Sequence, residues 1–101
     1  MIVRDTASYN AVRTPMDLPI AEEVIAAVQS ATTARGRGQV VLWPTMGGSV
    51  PLGAIEQAAR THTITVPIAN YDDNQHAANE NMRLQNLWDG VQTMAALLSM
   101  Q

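Results

Sequence analysis

Two short runs of β-branched and apolar residues alternate with helical patterns, and this alternation constrains the fold more than any other feature. The runs are QVVLW at 39–43 and TITVPI at 63–68, and a helical pattern separates them. Strands joined through a helix usually pair in parallel, because the crossover returns the chain to the same edge of the sheet. The sequence therefore predicts an α/β fold with a short, mainly parallel sheet and about three helices.

The first predicted helix begins near Asp17, with Pro19 in its first turn, and runs to about Ala34. Gly36 stands where a left-handed C-terminal cap is expected. The inward stripe comprises Ala21, Val24, Ile25 and Val28. The second predicted helix opens at 50–51 with Ser49 as its N-cap. Its inward residues are Leu52, Ile55 and Ala59.

The last predicted helix starts near residues 81–83 and has the strongest periodicity. Its apolar residues are spaced so that they share one helical face, which predicts a core or interface surface. They are Leu84, Leu87, Trp88, Val91, Met94, Ala95 and Leu98. Gly90 lies inside this helix, where glycine costs about 1 kcal/mol relative to alanine, so a close helix contact is predicted there.

Length and charge narrow the class of protein. A chain of 101 residues with 47% hydrophobic content fits one domain, 1–101, whose first part, 1–16, is predicted to be extended. A net charge of −3 disfavours nucleic-acid binding, and the absence of cysteine excludes thiolate metal sites. No apolar stretch is long enough to span a membrane, and residues 1–20 lack both a basic leader and a continuous apolar region, so a cytoplasmic protein is expected.

Two loops follow the predicted strands and are the candidate functional segments. Gly47, Gly48 and Ser49 come after the first strand, and residues 72–80 come after the second. The carboxyl ends of parallel strands meet at one edge, where glycines let backbone amides approach a carboxylate. The alternative is that Gly47 and Gly48 only form a tight turn between strand and helix.

His76 is the candidate metal ligand, because Asp72, Asp73 and Glu80 place carboxylates within a few residues of its imidazole. A lone histidine in a polar loop is also compatible with an ordinary surface residue. A third possibility is that these four side chains bind one metal ion by themselves. Against it, the loop lacks a helical spacing to hold them in a fixed geometry. His62 precedes its strand and is expected to be exposed, at the opposite edge of the sheet.

Three ordered motifs carry a family resemblance. They are RTPMDLP at 13–19, GGSVP at 47–51 followed by PI at 67–68, and HAANENMRL at 76–84. Together they resemble the C-terminal part of the catalytic domain in the zinc metallopeptidase family of aminoacylase, glutamate carboxypeptidase, acetylornithine deacetylase and succinyl-diaminopimelate desuccinylase. The resemblance covers nearly the whole chain and implies part of a three-layer α/β/α domain.

The resemblance also implies roles for individual residues. His76 corresponds to the last metal ligand of the family, and the other metal ligands and the general base come from an upstream half that has no counterpart here. Gly47, Gly48 and Ser49 would line the substrate site. Asn79, Glu80 and Arg83 would support the metal ligand without contacting the metal. Zinc is implied for the parent family, and stable binding by this chain alone is not expected.

Two functions of different classes follow. In the first, the chain is a truncated amidohydrolase-like domain, inactive alone, whose parent hydrolyses an amide bond next to a carboxylate with zinc-activated water. In the second, it is a stand-alone, non-catalytic binding or oligomerising module. Either reading predicts uncovered apolar surface, and hence a homo-oligomer or a complex with a complementary catalytic fragment.

Overall fold

The computed structural model describes residues 9–48 and 50–100, and its architecture is helical. The helices are α1 (Pro19–Ala34), α2 (Leu52–Ala59) and α3 (Leu84–Leu98). Helices α1 and α3 pack against each other. No β-strand occurs within these described ranges, so the predicted α/β fold with a parallel sheet is wrong for them.

Neither predicted strand is paired with another strand within the described residues, and one amide at each run bonds to a side chain instead. The amide of Val40, in run 39–43, donates to Gln29 Oε1 on α1 at 2.9 Å. The amide of Thr63, at the start of run 63–68, donates to Glu56 Oε1 on α2 at 2.9 Å. A sheet is stable when three or more strands share an apolar face. Two short runs in this part of the chain do not meet that condition, and they remain extended without a ladder.

Helix α1 begins two residues later than predicted. Its N-cap is Leu18 and not Asp17, no side chain caps its first turn, and Pro19 occupies the first turn as expected. The inward stripe is confirmed, since its first member is buried and the others are half-buried. These residues are Ala21, Val24, Ile25 and Val28.

Helix α1 ends in a Schellman cap. Gly36 has φ 68°, and its amide donates to the carbonyl of Thr33 at 2.9 Å. The amide of Arg37 reaches back to the carbonyl of Thr32 at 3.1 Å. This pair of bonds is the pattern that a glycine in the left-handed region allows, so the predicted cap is confirmed.

An ion cluster joins the end of α1 to the middle of α3. The Arg35 guanidinium donates to Thr93 Oγ1 at 3.2 Å and to the backbone carbonyl of Asp89 at 3.3 Å. Its Nε lies 3.7 Å from Asp89 Oδ1, while Arg37 Nη2 lies 3.5 Å from Asp89 Oδ2. The Arg35 and Asp89 side chains are only 15% and 18% exposed, so this ion pair is largely desolvated. Whether the pair stabilises the fold therefore depends on the geometry of its contacts.

Gly90 provides the close approach predicted within α3, although the neighbour is not a helix. A Cβ placed on Gly90 would lie 2.9 Å from both Cβ and Cγ2 of Ile68. The Cβ of Ile68 moves only with its backbone, so rotation of that side chain would not relieve the contact. The absence of a side chain at Gly90 therefore lets the extended run 63–68 pack directly on α3.

Helix α2 starts at Leu52, slightly later than predicted, and its N-cap is Pro51. The predicted cap, Ser49, lies outside the described residues. Leu52 is half-buried, but Ile55 and Ala59 are exposed, so the predicted inward face is wrong for these two. The prediction relied on a sheet for this face to cover.

Glu56 joins helix α2 to the start of run 63–68 by hydrogen bonds. Both the amide and the hydroxyl of Thr63 donate to Glu56 Oε1, at 2.9 and 2.8 Å. These two bonds, the hydroxyl bond foremost, lower the pKa of Glu56. Thr14 then donates its hydroxyl to the carbonyl of Thr63 at 2.5 Å. Segment 9–16 carries no helix or strand; this bond attaches it to the rest of the chain, and Val12 also lies beside Gly53 of α2. Residues 1–8 lie outside the described part.

The apolar stripe of α3 occupies one face as predicted, but it is largely exposed. Leu84, Trp88, Val91 and Leu98 are 71%, 59%, 56% and 89% exposed. Helix α3 contacts the rest of the chain through Asp89, Gly90 and Thr93, on a different face. In this structure the stripe is therefore not part of the core.

The chain has far more surface than a compact protein of its mass. Its accessible area is 8400 Å², whereas about 5,600 Å² is expected for a folded monomer of 10.9 kDa. Its radius of gyration is 16.2 Å, against about 13 Å for a compact domain of this length. Ala21 is the single buried hydrophobic residue among those described. Across the same ranges, none of the helices has the length and apolarity that crossing a membrane requires.

Candidate metal-binding loop

The loop that carries His76 is closed by one buried asparagine. Asn70 is 5% exposed, and its Nδ2 donates to Asp72 Oδ1 at 2.8 Å. Its Oδ1 accepts the backbone amide of Arg83 at 2.9 Å. The two ends of segment 70–83, here called the Asn70 loop, are thereby joined. Since the buried amide bonds through both of its polar ends, it satisfies the hydrogen-bonding requirement of a buried polar group.

An exposed ion pair reinforces the same closure. Arg83 Nη2 lies 2.6 Å from Asp72 Oδ2, and the Arg83 guanidinium stands 5.8 Å from the ring centre of Tyr71. The hydrogen bond from Asn70, followed by that from Arg83, lowers the pKa of Asp72. Both charged side chains are about half exposed, so this pair adds orientation more than stability.

Backbone turns fill the interior of the Asn70 loop. The amide of Gln75 donates to Asp73 Oδ1 at 3.1 Å, and the amide of Asn81 donates to the carbonyl of Asp73 at 2.8 Å. A further turn joins the amide of Ala77 to the carbonyl of Asn74 at 2.9 Å. Asparagine and aspartate commonly make such local bonds, which explains why this polar sequence forms an ordered loop without a helix.

His76 lies at the outer part of this loop with its side chain exposed and its φ at 61°. Asn74 and Asn79 also have positive φ, at 54° and 62°. The left-handed region is tolerated by asparagine and is uncommon for most other residues. Three left-handed residues in six make the loop turn sharply around the histidine and place it on the surface.

The predicted site residues are not gathered into a metal site. Within residues 9–48 and 50–100, no three histidine, aspartate or glutamate side chains are grouped closely enough to hold a metal ion. Glu80 is exposed, while Asp72 and Asp73 are engaged in the bonds that shape the loop. One imidazole does not fit zinc, which needs three or four protein ligands. The described residues therefore do not form a complete zinc site.

The glycine segment is likewise separate from the histidine loop. Gly47 and Gly48 are exposed, and nothing lies within 4 Å of the position of a Cβ at either residue. Ser49 is outside the described residues. Because the predicted sheet does not form here, there is no common edge to bring this segment beside His76. His62 is exposed, as predicted.

Sequence reasoning missed the residue that organises the loop from its start. Asn70 precedes the aspartates and was not singled out. The spacing of Asn70 and Asp72, two residues apart, is typical of local side-chain bonding in turns and could have indicated such a loop. The contact with the Arg83 amide spans thirteen residues and has no local signature.

Acid is expected to loosen the Asn70 loop by protonating Asp72. Its pKa is lowered in the folded chain, so its bonds stabilise the loop above the ordinary carboxyl value of about 3.9 and are lost as pH falls through the lower folded value. Hydrogen exchange at the Arg83 amide, followed by NMR between pH 6 and pH 2, should show protection lost at the acid end. Asp72→Asn should remove this dependence, whereas Asp17→Asn, at an exposed position before α1, should leave it unchanged.

Comparison with known proteins finds one relevant similarity. Over 53 residues, 52% of this chain, the sequence is 36% identical to the Cys-Gly metallodipeptidase of Saccharomyces cerevisiae. The matched stretch is 11% of the length of that protein. No family model and no solved structure matches the chain. The similarity supports a relation to metallopeptidases, without selecting the group that contains aminoacylase and acetylornithine deacetylase.

Proposed function

We propose that this chain is a C-terminal portion of a zinc metallopeptidase catalytic domain, and that it contributes His76 to a metal site completed by further polypeptide. The similarity to a metallodipeptidase carries this proposal. Two structural observations support it: the Asn70 loop is closed by its own bonds, and the imidazole it carries is exposed. The parent reaction would be hydrolysis of an amide bond next to a carboxylate. Alone, the chain would be inactive.

The proposal assigns the remaining residues to supporting roles. Arg83 and Asn79 would hold the loop that presents His76, since Arg83 pairs with Asp72 and the Asn79 carbonyl accepts a bond from the Asn81 side chain at 2.9 Å. Glu80 would lie beside the metal site. Gly47, Gly48 and Ser49 would line the substrate site of that completed assembly. A cytoplasmic location fits this role.

A chimera tests the assignment of His76. The 53-residue stretch of this chain that aligns with the Saccharomyces cerevisiae enzyme, extended to include the Asn70 loop, would replace its counterpart in that enzyme. Both metal content and Cys-Gly hydrolysis would be measured. We expect a metal-loaded, active chimera, with His76→Ala lowering activity at least 100-fold and reducing bound metal. His62→Ala is the matched control and should change neither. An equally active His76→Ala chimera would refute the proposed role.

The isolated chain provides a second test. We expect no turnover of N-acyl amino acids with or without added zinc, because one ligand does not hold a catalytic metal. Zinc binding at micromolar concentration that His76→Ala abolishes would instead favour a self-contained metal-binding loop. Hydrolysis by the isolated chain would show that no further polypeptide is needed.

The second candidate is a stand-alone, non-catalytic oligomerising module. The observation that favours it is the exposed apolar face of α3, which is not used to pack this helix against α1. Purification of the chain from its native source at its encoded mass, without an associated hydrolase segment, would support this candidate over the first.

A further inference from the structure

The exposed face of α3 has the spacing of a helix-pairing seam. Five apolar residues, here called the α3 seam, recur at alternating intervals of three and four residues. They are Leu84, Leu87, Val91, Met94 and Leu98. This is the pattern of the inner positions of a coiled coil, where each side chain fits between residues of a facing helix. The spacing is therefore compatible with another helix as the partner of this face, as it is with the core-facing side of any amphipathic helix.

The seam is available because α3 uses other residues to bind its own chain. Asp89, Gly90 and Thr93 make the contacts with α1 and Ile68 described above. The exposed fractions of the five seam residues range from 38% to 89%. Trp88, 59% exposed, widens the apolar surface along one side. A partner can therefore cover the seam without displacing α1.

Charge does not oppose the pairing of two such helices. Asp89 is the only charged residue between Leu84 and Leu98, and it is bound to Arg35 and Arg37 away from the seam. Charges that flank a seam normally select or reject partners. Two copies of α3 would therefore meet without repulsion between like charges.

The chain has enough excess surface to supply a dimer interface. The accessible area exceeds that expected of a compact monomer by about 2,800 Å². A stable protein interface buries about 800 Å² on each partner. The excess surface is thus larger than the area that one partner buries in such an interface.

We propose that the occupant of the α3 seam is a second copy of this chain, and that the two seams pack against each other around a two-fold axis. Val91 is the middle residue of the seam, so in an antiparallel pair centred on the seam it lies at the axis and faces its own copy. In a parallel pair the axis runs along the seam, and Val91 faces its own copy there as well. The proposal concerns assembly and goes beyond the metallopeptidase role, because it does not depend on metal binding by His76.

Engineered cysteines test the pairing directly, because the chain contains no cysteine. Under mild oxidation, Val91→Cys should form a covalent dimer rapidly at micromolar concentration, since residues at the axis face their own copies. Gln92→Cys, on the adjacent position away from the seam, is the matched control and should cross-link at least 10-fold more slowly. Equal rates for the two variants would overturn the proposal.

Sedimentation equilibrium supplies a measurement that involves no covalent bond. We expect the unmodified chain to have twice its monomer mass, and Val91→Glu to weaken association at least 10-fold by placing like charges at the axis. Gln92→Glu adds the same charge outside the seam and should leave the mass unchanged, while circular dichroism should show equal helix content in all three. A monomeric parent chain would refute the proposal, and so would a dimer whose association Val91→Glu does not weaken.

Discussion

Replacing Asp89 with alanine is expected to lower the free energy of unfolding by about 3 kcal/mol, because the replacement leaves a desolvated guanidinium without its carboxylate. The Arg35 side chain is only 15% exposed, and its Nε has no hydrogen-bond acceptor, with Asp89 Oδ1 as the nearest opposite charge at 3.7 Å. The bonds from Arg35 to Thr93 and to the backbone of residue 89 survive, which keeps the loss below the upper limit for a buried pair.

Arg37→Ala is the matched control for this prediction. It removes the outer ion pair of the same carboxylate, but the Arg37 side chain is 58% exposed. Exposed pairs contribute about 0 to 1 kcal/mol, so this variant should differ little from the parent chain. Urea unfolding at one fixed protein concentration measures both variants. Similar losses for Asp89→Ala and Arg37→Ala would show that burial of Arg35 does not govern the α1–α3 junction.

Replacing Asn70 with alanine should cost about 2 kcal/mol and release the loop that carries His76. The change removes the acceptor of the Arg83 amide and the donor to Asp72, and it leaves those groups without their partners. Hydrogen exchange at the Arg83 amide should accelerate at least 10-fold. Asn70→Asp retains an acceptor but places a second carboxylate beside Asp72, so it should also loosen the loop.

Gln75→Ala is the control within the same loop. Gln75 is exposed and participates through its backbone amide, which the substitution retains. Its exchange rates and unfolding free energy should match those of the parent chain. If Asn70→Ala left the Arg83 amide as protected as Gln75→Ala does, the closure of the loop would not depend on the buried side chain.

These two sets of variants test two different regions of the molecule. The Asp89 variants act where α1 meets α3, whereas the Asn70 variants act on the loop that precedes α3. Loss of loop order without loss of helix packing would identify the loop as an independent unit. A metal-binding role for His76 in a larger assembly requires that unit to remain intact, because preformed geometry reduces the ordering cost of binding.

Local chemistry in the sequence was sufficient to place the three helices. Pro19 and Gly36 bracket α1 because their preferred backbone angles suit the first turn and the left-handed cap. The periodicity of α3 identified its apolar face correctly, since residues three and four apart share a face in any helix. These properties depend on neighbours within one or two turns.

The tertiary structure alone decided which faces are covered and whether strands exist. Runs 39–43 and 63–68 have strand-forming residues, but a strand needs partners, and the amides of Val40 and Thr63 bond to side-chain acceptors. In the same way, the apolar face of α3 is exposed because the helix contacts the rest of the chain through a different face. On that face Gly90 lies against Ile68, and Asp89 pairs with Arg35. Helix periodicity reports which residues share a face, whereas burial depends on distant contacts such as these.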